Sequence, residues 1–238
     1  MIWRRKAKAI PPVGGYVLAG GRSSRMGRDK ALLPLDGKPL VERAVTKLQR
    51  LCAKVSVLSR NAELAAYAPL VPDHFGGSGP LGGIEAALLD SEFAWNLILP
   101  VDMPFLPTRL LDDWMYSALQ EPIRDLRISM LAVNGQAYPT LLLIHRDVRP
   151  YLRADLKVGR YKVLDSLESA AQAIAAERRV KPERVFWQAQ YDDPNSPKWR
   201  NADKVWKKGA RGYFDWFANL NTPEEFAEAE KHSDALDA

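Results

Sequence analysis

The stretch that most restricts the fold is YVLAG, residues 16–20, an apolar run that breaks off into GRSSRMGRDK. A run of this length that is apolar throughout, with no alternation, is the signature of a strand buried on both faces, and such strands belong to parallel sheets whose faces are covered by helices. The same form returns in VSVLS at 55–59 and NLILP at 96–100. Between the runs lie stretches of helical period. In PLVERAVTKLQRLC, Leu40, Val41, Ala44, Val45, Leu48, Leu51 and Cys52 fall on one face, and Pro39 stands at the first turn. A second helix is expected from about Pro80 to Leu89. The alternation predicts an α/β protein of three layers, with a mostly parallel sheet and helices on both faces. Farther on, LLDDWMYSALQ reads as helix, RISMLAV and YPTLLLI as strands about the turn NGQ, and residues 161–178 as helix. Thr222, Pro223 and Glu225 form a helix-start signature: an N-cap, an N1 proline and an N3 acid.

With 238 residues, of which 47% are hydrophobic and 26% charged, the composition is that of a globular chain. The expected organisation is a basic N-terminal arm over 1–15, then one domain over 16–238 carrying an insertion at about 180–213. No apolar run approaches the ~20 residues of a membrane span, and no apolar core follows the basic N-terminus as in a secretory signal. A cytoplasmic protein without membrane contact is expected. Cys52 is the single cysteine, and its place in an apolar period marks it as a core residue. The net charge of +5 is local, because residues 1–8 carry four basic side chains and 178–212 carry ten against four acidic, leaving 20 basic and 25 acidic elsewhere. A nucleic-acid partner is therefore not expected, although Phe186, Trp187, Tyr191, Trp199 and Trp206 interleave with the late basic residues.

In an open parallel sheet, ligands bind beyond the carboxyl ends of the strands, so the loops after 16–20, 55–59 and 96–100 should share a crevice. Gly20 and Gly21 let the backbone turn and aim N–H groups at an anion, and Arg22, Arg25, Arg28 and Lys30 add positive charge. The spacing is neither that of a P-loop nor GxGxxG. On these residues alone, a phosphate site and a plain surface turn stand level.

The whole stretch LAGGRSSRMGRDKALLPLDGKPL resembles the signature loop of the nucleotidyltransferases, and within them the molybdenum cofactor guanylyltransferases. GPLGGI at 79–84, LPVDMPFLP at 99–107 and NLNTPEEF at 219–226 carry the same resemblance, which runs from about Val17 to about Ala229. It implies a nucleotide-diphospho-sugar-transferase-like, Rossmann-like fold, and transfer of GMP from GTP to the terminal phosphate of molybdopterin, with or without its metal, releasing pyrophosphate. It places Leu18, Ala19, Gly20 and Gly21 at the nucleotide through their backbone, Lys30 and Arg25 on its phosphates, and Asp102 on a magnesium ion. Asn61 and Asp73 are implied in the nucleotide site, and Gly79 to Gly83 are expected to let the backbone approach the base. Arg160, Lys162, Asn219 and Asn221 are implied on the acceptor side, near Tyr138, Pro139 and Thr140. Tyr161 departs from the family, where a second cation is expected. His74 is given no role, since a phosphate nucleophile is already ionised. Partners beyond GTP and molybdopterin would be proteins that deliver or receive the cofactor. LAGG in place of LAAG accompanies guanine in relatives. A CTP-dependent cytidylyltransferase, a sugar-1-phosphate nucleotidyltransferase and a non-catalytic nucleotide- or nucleic-acid-binding protein are the competing readings.

Overall fold

In a computed structural model of the chain, residues 9–20, 29–120, 125–133, 135–190 and 215–237 are described. The first strand, β1 (Val13–Leu18), is buried along its whole length, and it begins at Val13, so Val13 to Gly15 of the expected basic arm belong to the sheet. Two two-residue strands, β2 (Pro34–Leu35) and β3 (Lys38–Pro39), form a separate hairpin. They are followed by α1 (Leu40–Gln49), whose N-cap rather than its first turn is Pro39. Then come β4 (Lys54–Leu58), β5 (Leu70–Val71), α2 (Pro80–Asp90), β6 (Trp95–Pro100) and α3 (Thr108–Gln120). An antiparallel pair follows, β7 (Ile128–Val133) and β8 (Gln136–His145). The remainder is α4 (Arg149–Lys157), α5 (Val163–Arg178), α6 (Pro182–Val185), β9 (Phe186–Gln190) and α7 (Pro223–Glu230).

The seven-stranded sheet has the order β5-β4-β1-β6-β8-β7-β9. Every adjacent pair is parallel except those made by β8, which runs against both β6 and β7. Side chains alternate across the sheet with the two-residue period of a strand. Val13 and Val17 of β1, with Leu97 and Leu99 of β6, enter a core shared with α1, α3 and α7. Tyr16, Leu18 and Ile98 enter the opposite core under α2, α4 and α5. Trp114 of α3 is wholly buried and its indole N–H donates to Ser129 Oγ of β7 at 2.9 Å, so the largest core side chain leaves no polar atom unpaired.

Two elements differ from expectation. The segment from 180 is not an insertion at its start, because α6 leads into β9, which pairs in parallel with β7 over Ile128 to Ala132 and closes one edge of the sheet. Residues 191–214 of the expected insertion lie outside the described residues, as does the arm over 1–8. Helix α4 is additional to the expected elements. It follows β8 after one turn of 3-10 helix, Arg146–Val148, and buries Leu152 and Leu156. Among the described residues no helix is long and apolar enough to cross a membrane. Cys52 is packed against the core beside Gly15, and burial pushes its thiol up to about 12, which keeps it protonated and unreactive.

Candidate active site

Leu18 stands opposite both Leu58 and Pro100, so β1, β4 and β6 end level and their loops leave the sheet side by side. The loop after β1 re-enters described structure at Asp29, which caps a 3-10 turn over Lys30–Leu32 by accepting from the Ala31 N–H at 3.0 Å. Ala31 is buried and anchors that turn. Lys30 is thereby aimed at the loop after β6, where its Nζ lies 2.7 Å from Asp102 Oδ2. The same ammonium donates to Asn221 Oδ1 at 2.8 Å. Asn221 belongs to the segment before α7, and that segment is tied to the β6 loop by the Leu220 N–H, which donates to the Asp102 carbonyl at 3.0 Å. Three stretches far apart in the chain thus meet at one lysine. Its side chain and that of Asp102 are 17% and 21% exposed, so both charges are largely removed from water and each depends on the other for compensation.

The loop after β4 joins from the other side. Asn61 caps the turn Ala62–Ala66 and donates from Nδ2 to Asp29 Oδ2 at 2.7 Å, binding the β4 loop to the residue that orients Lys30. Ser59, one turn earlier, accepts from the Asn61 N–H. Asp73 is held by Arg60 at 2.8 Å and stiffens the approach to α2; His74 is exposed. Asp29 and Arg60 were missed in the sequence: Asp29 had a visible signal as a cap before Lys30, whereas the partners of both residues are set by tertiary contacts.

Several expected residues take up other work. The Ala19 N–H donates to the Leu58 carbonyl at 3.3 Å and the Leu18 carbonyl accepts from the Val101 N–H at 3.2 Å, so the sheet's hydrogen bonding consumes these groups and runs one residue beyond the strand. Gly20 is the first exposed residue after β1. Gly79 has φ +63° and ψ −149°, a conformation that admits glycine, at the N-cap of α2. Gly82 and Gly83 are not open to a base. A Cβ at Gly82 would collide with Ser78 Oγ, and one at Gly83 would meet Leu18 Cδ1 at 2.9 Å, so these glycines let α2 sit close on β1 and its own entry turn. Arg160 pairs with Asp155 at 3.2 Å and is 70% exposed, and Lys162 is more exposed still. The loop carrying them joins α4 to α5. Because α5 leads back through α6 to the first residue of β9, which is parallel to β7, that loop lies at the same end of the sheet as Lys30. Tyr138 is held against Phe217, ring centroids 5.0 Å apart, while Pro139 and Thr140 continue β8. Asn219 is exposed and makes none of the contacts that Asn221 makes. Gly21 and Arg25 lie outside the described residues.

An open, mostly parallel sheet with a loop lysine set against a carboxylate past the adjoining strand suits an α/β protein that handles phosphates, and the family match makes that class the nucleotidyltransferases. The family model of the MobA-like NTP transferase domain matches residues 15–173, and the chain belongs to that family, whose members generally use a divalent metal. It is 31% identical to the molybdenum cofactor guanylyltransferase of Rhizobium johnstonii, with 95% of each chain covered. It is 33% identical to the probable molybdenum cofactor guanylyltransferase of Carboxydothermus hydrogenoformans over 63% of this chain and 74% of the relative. Among solved structures, molybdopterin-guanine dinucleotide biosynthesis protein A from Archaeoglobus fulgidus superposes with a TM-score of 0.65 at 22% identity, covering 94% of this chain and 100% of that one, and shares the fold.

Proposed function

We propose that the protein transfers GMP from GTP to the terminal phosphate of molybdopterin, forming the guanine dinucleotide and pyrophosphate. The observation that carries this reading is the convergence of Lys30, Asp102 and Asn221 at the level carboxyl ends of β1 and β6, in a chain whose relatives bear that activity in their names. An oxygen of the acceptor phosphate attacks the α-phosphorus, the bond from that phosphorus to the bridging oxygen breaks, and the electron pair leaves with pyrophosphate. Such a transfer asks the protein for positioning and charge neutralisation rather than covalent participation.

Lys30 supplies a compact cation for charge growing on the departing pyrophosphate, and Arg25 is assigned to the same phosphates. Gly20 and Gly21 are assigned to the nucleotide with Leu18 and Ala19, which stand at the end of β1. Asn61 holds the loop through Asp29, and Asp73 holds the α2 entry through Arg60. The atoms beside Lys30 that could meet a metal are the Asp102 carboxylate oxygens and the Asn221 side-chain oxygen. That set fits magnesium, which keeps waters and takes one or two carboxylates together with phosphate oxygens. Asp102 would hold the ion, whose chemistry there would be charge neutralisation at the phosphates. Arg160 and Lys162, largely exposed on their loop although paired with Asp155 and Asp165, suit the acceptor's phosphate, with Asn219 on the same side. Proteins that deliver or receive the cofactor would meet this face.

The test is pyrophosphate release with molybdopterin and magnesium, comparing GTP with CTP, ATP and UTP. Preference for GTP supports the reading. Preference for CTP keeps the site and overturns the base, and release with a sugar 1-phosphate but not with molybdopterin overturns the acceptor.

A further inference from the structure

The start of α7 carries a capping box. Thr222 Oγ1 accepts from the Glu225 N–H at 3.2 Å, and Glu225 Oε2 accepts from the Thr222 N–H at 2.9 Å. By itself this is a helix-start device. Here Glu225 Oε2 also accepts from the Asn221 N–H, one residue outside the box. Asn221 is the residue whose side chain holds the Lys30 ammonium at 2.8 Å, and Lys30 in turn meets Asp102 at 2.7 Å. A continuous chain of hydrogen bonds therefore runs from Glu225 through the Asn221 backbone and side chain to Lys30. The segment is pinned at its other end as well, by the Leu220 N–H on the Asp102 carbonyl.

We infer that Glu225 is a positioning residue of the nucleotidyl-transfer site, fixing Asn221 and through it the place of the Lys30 ammonium. The inference rests on the proposed function for its catalytic consequence, though not for its geometry. Asn221 is exposed and precedes the helix, so its own φ and ψ are not set by α7. Without the carboxylate, Asn221 would keep a flexible link to Lys30 and lose its fixed direction. Thr222 provides the internal comparison. Its hydroxyl belongs to the same cap, yet its removal leaves the Glu225 carboxylate and the Asn221 N–H intact.

The experiment compares Glu225→Ala, Glu225→Gln and Thr222→Ala in the full chain. The first readout is the side-chain NMR signal of the Lys30 ammonium group, assigned with Lys30→Arg, in protein without nucleotide. The second is kcat and KM for GTP, and the third is the thermal midpoint. The Lys30 signal should shift in Glu225→Ala and stay in place in Thr222→Ala, although both variants lose a cap bond and melt lower. Turnover should fall about tenfold in Glu225→Ala, mostly in kcat, as expected for an imprecisely held charge. Glu225→Gln keeps an oxygen acceptor and should recover most of the loss. Equal losses in Glu225→Ala and Thr222→Ala, or an unmoved Lys30 signal in Glu225→Ala, would overturn the inference and reduce Glu225 to a cap. Absence of GTP turnover in the unaltered protein would instead count against the proposed function, and the NMR comparison would still judge the inference.

Discussion

Gly20→Ala separates what the protein requires at the first loop from what a bound nucleotide requires. Gly20 is exposed and its φ lies outside the left-handed region, so the backbone already suits alanine. A Cβ built there would find the Leu58 carbonyl oxygen at 3.6 Å, an ordinary contact, and no other atom of the described residues nearer than 4 Å. The described residues therefore give no reason for glycine. Replacement should stabilise by about 0.4–1 kcal/mol through the narrowed unfolded ensemble, raising the melting midpoint by roughly 1–4 °C in a chain of this size. If a guanine nucleotide lies along this loop, the added methyl intrudes on it, and one methyl in a close-fitting site is worth about 1–3 kcal/mol. That corresponds to a loss of about 5- to 150-fold in kcat/KM for GTP, with CTP, which carries the smaller base, losing less. The assay is pyrophosphate release at subsaturating GTP and CTP beside a thermal melt of the same preparation. A stabilised variant with GTP turnover within about twofold of the parent would refute the reasoning, since the space beside Gly20 would then face no substrate.

Asp102→Ala should reduce turnover by about 10³-fold or more, through loss of charge stabilisation at the phosphates; turnover within tenfold of the parent would remove Asp102 from the chemistry. Lys30→Met should lower turnover strongly and yet tighten Mn2+ binding to the nucleotide-free protein, because the ammonium at 2.7 Å competes for the Asp102 oxygen. Titration followed by electron paramagnetic resonance reads this directly, and equal Mn2+ affinity in the two proteins would contradict it. Lys47 makes a prediction about pH: it is buried, donates to the Leu106 carbonyl at 2.7 Å, and is lowered to about 8, chiefly by desolvation, from 10.5. The unfolded chain then binds the extra proton between about pH 8 and 10.5, so this lysine's contribution to stability rises with pH across that window, by about 3 kcal/mol. The difference in unfolding free energy between the parent and Lys47→Met should climb accordingly, and a flat difference would refute the shift.

The sheet was readable because its central strands are buried on both faces, which leaves runs such as YVLAG and NLILP without alternation. What escaped was decided by context. In β9, FWQAQ buries Ala189 alone while its other residues are half-buried or exposed, as befits a sheet edge, and the basic aromatic sequence after it draws the eye toward an insertion. RPYLRADLK is too short and polar for its period to stand out, and α4 forms because Leu152 and Leu156 find the core under α2 and α5. In the site, Asp102 is marked by its place just past an apolar run, Lys30 by the resemblance of its loop to the nucleotidyltransferase signature, and the α7 cap by local spacing. The Asn61 contact with Asp29 spans 32 residues, and the Lys30 contact with Asn221 spans 191. No local pattern encodes such pairings. Gly82 and Gly83 have a packing requirement that the sequence does not display, since a side chain there would press on Ser78 and Leu18.

The site also shows why the last described stretch matters more than its small helix suggests. The last described strand ends at Gln190, and the family model, ending at residue 173, spans both Lys30 and Asp102. Yet the described residues after 215 reach the site loops repeatedly. Leu220 is bonded to the Asp102 backbone, Asn221 to Lys30, and Asp237 accepts from the Thr108 N–H at 2.6 Å where the Asp102 loop enters α3. Asp237 also lies 3.7 Å from Lys47, which holds the Leu106 carbonyl of the same loop. The loop 101–107 has no regular ladder to fix it; it is held by the buried side chains of Met103, Phe105 and Leu106 and by what binds its free N–H and C=O groups. The strands thus decide where the loops leave the sheet, and the C-terminal stretch adds to what holds the β6 loop and Lys30 in place. A lysine and an aspartate placed by the strands alone would share a crevice; held from both sides, they share a hydrogen bond.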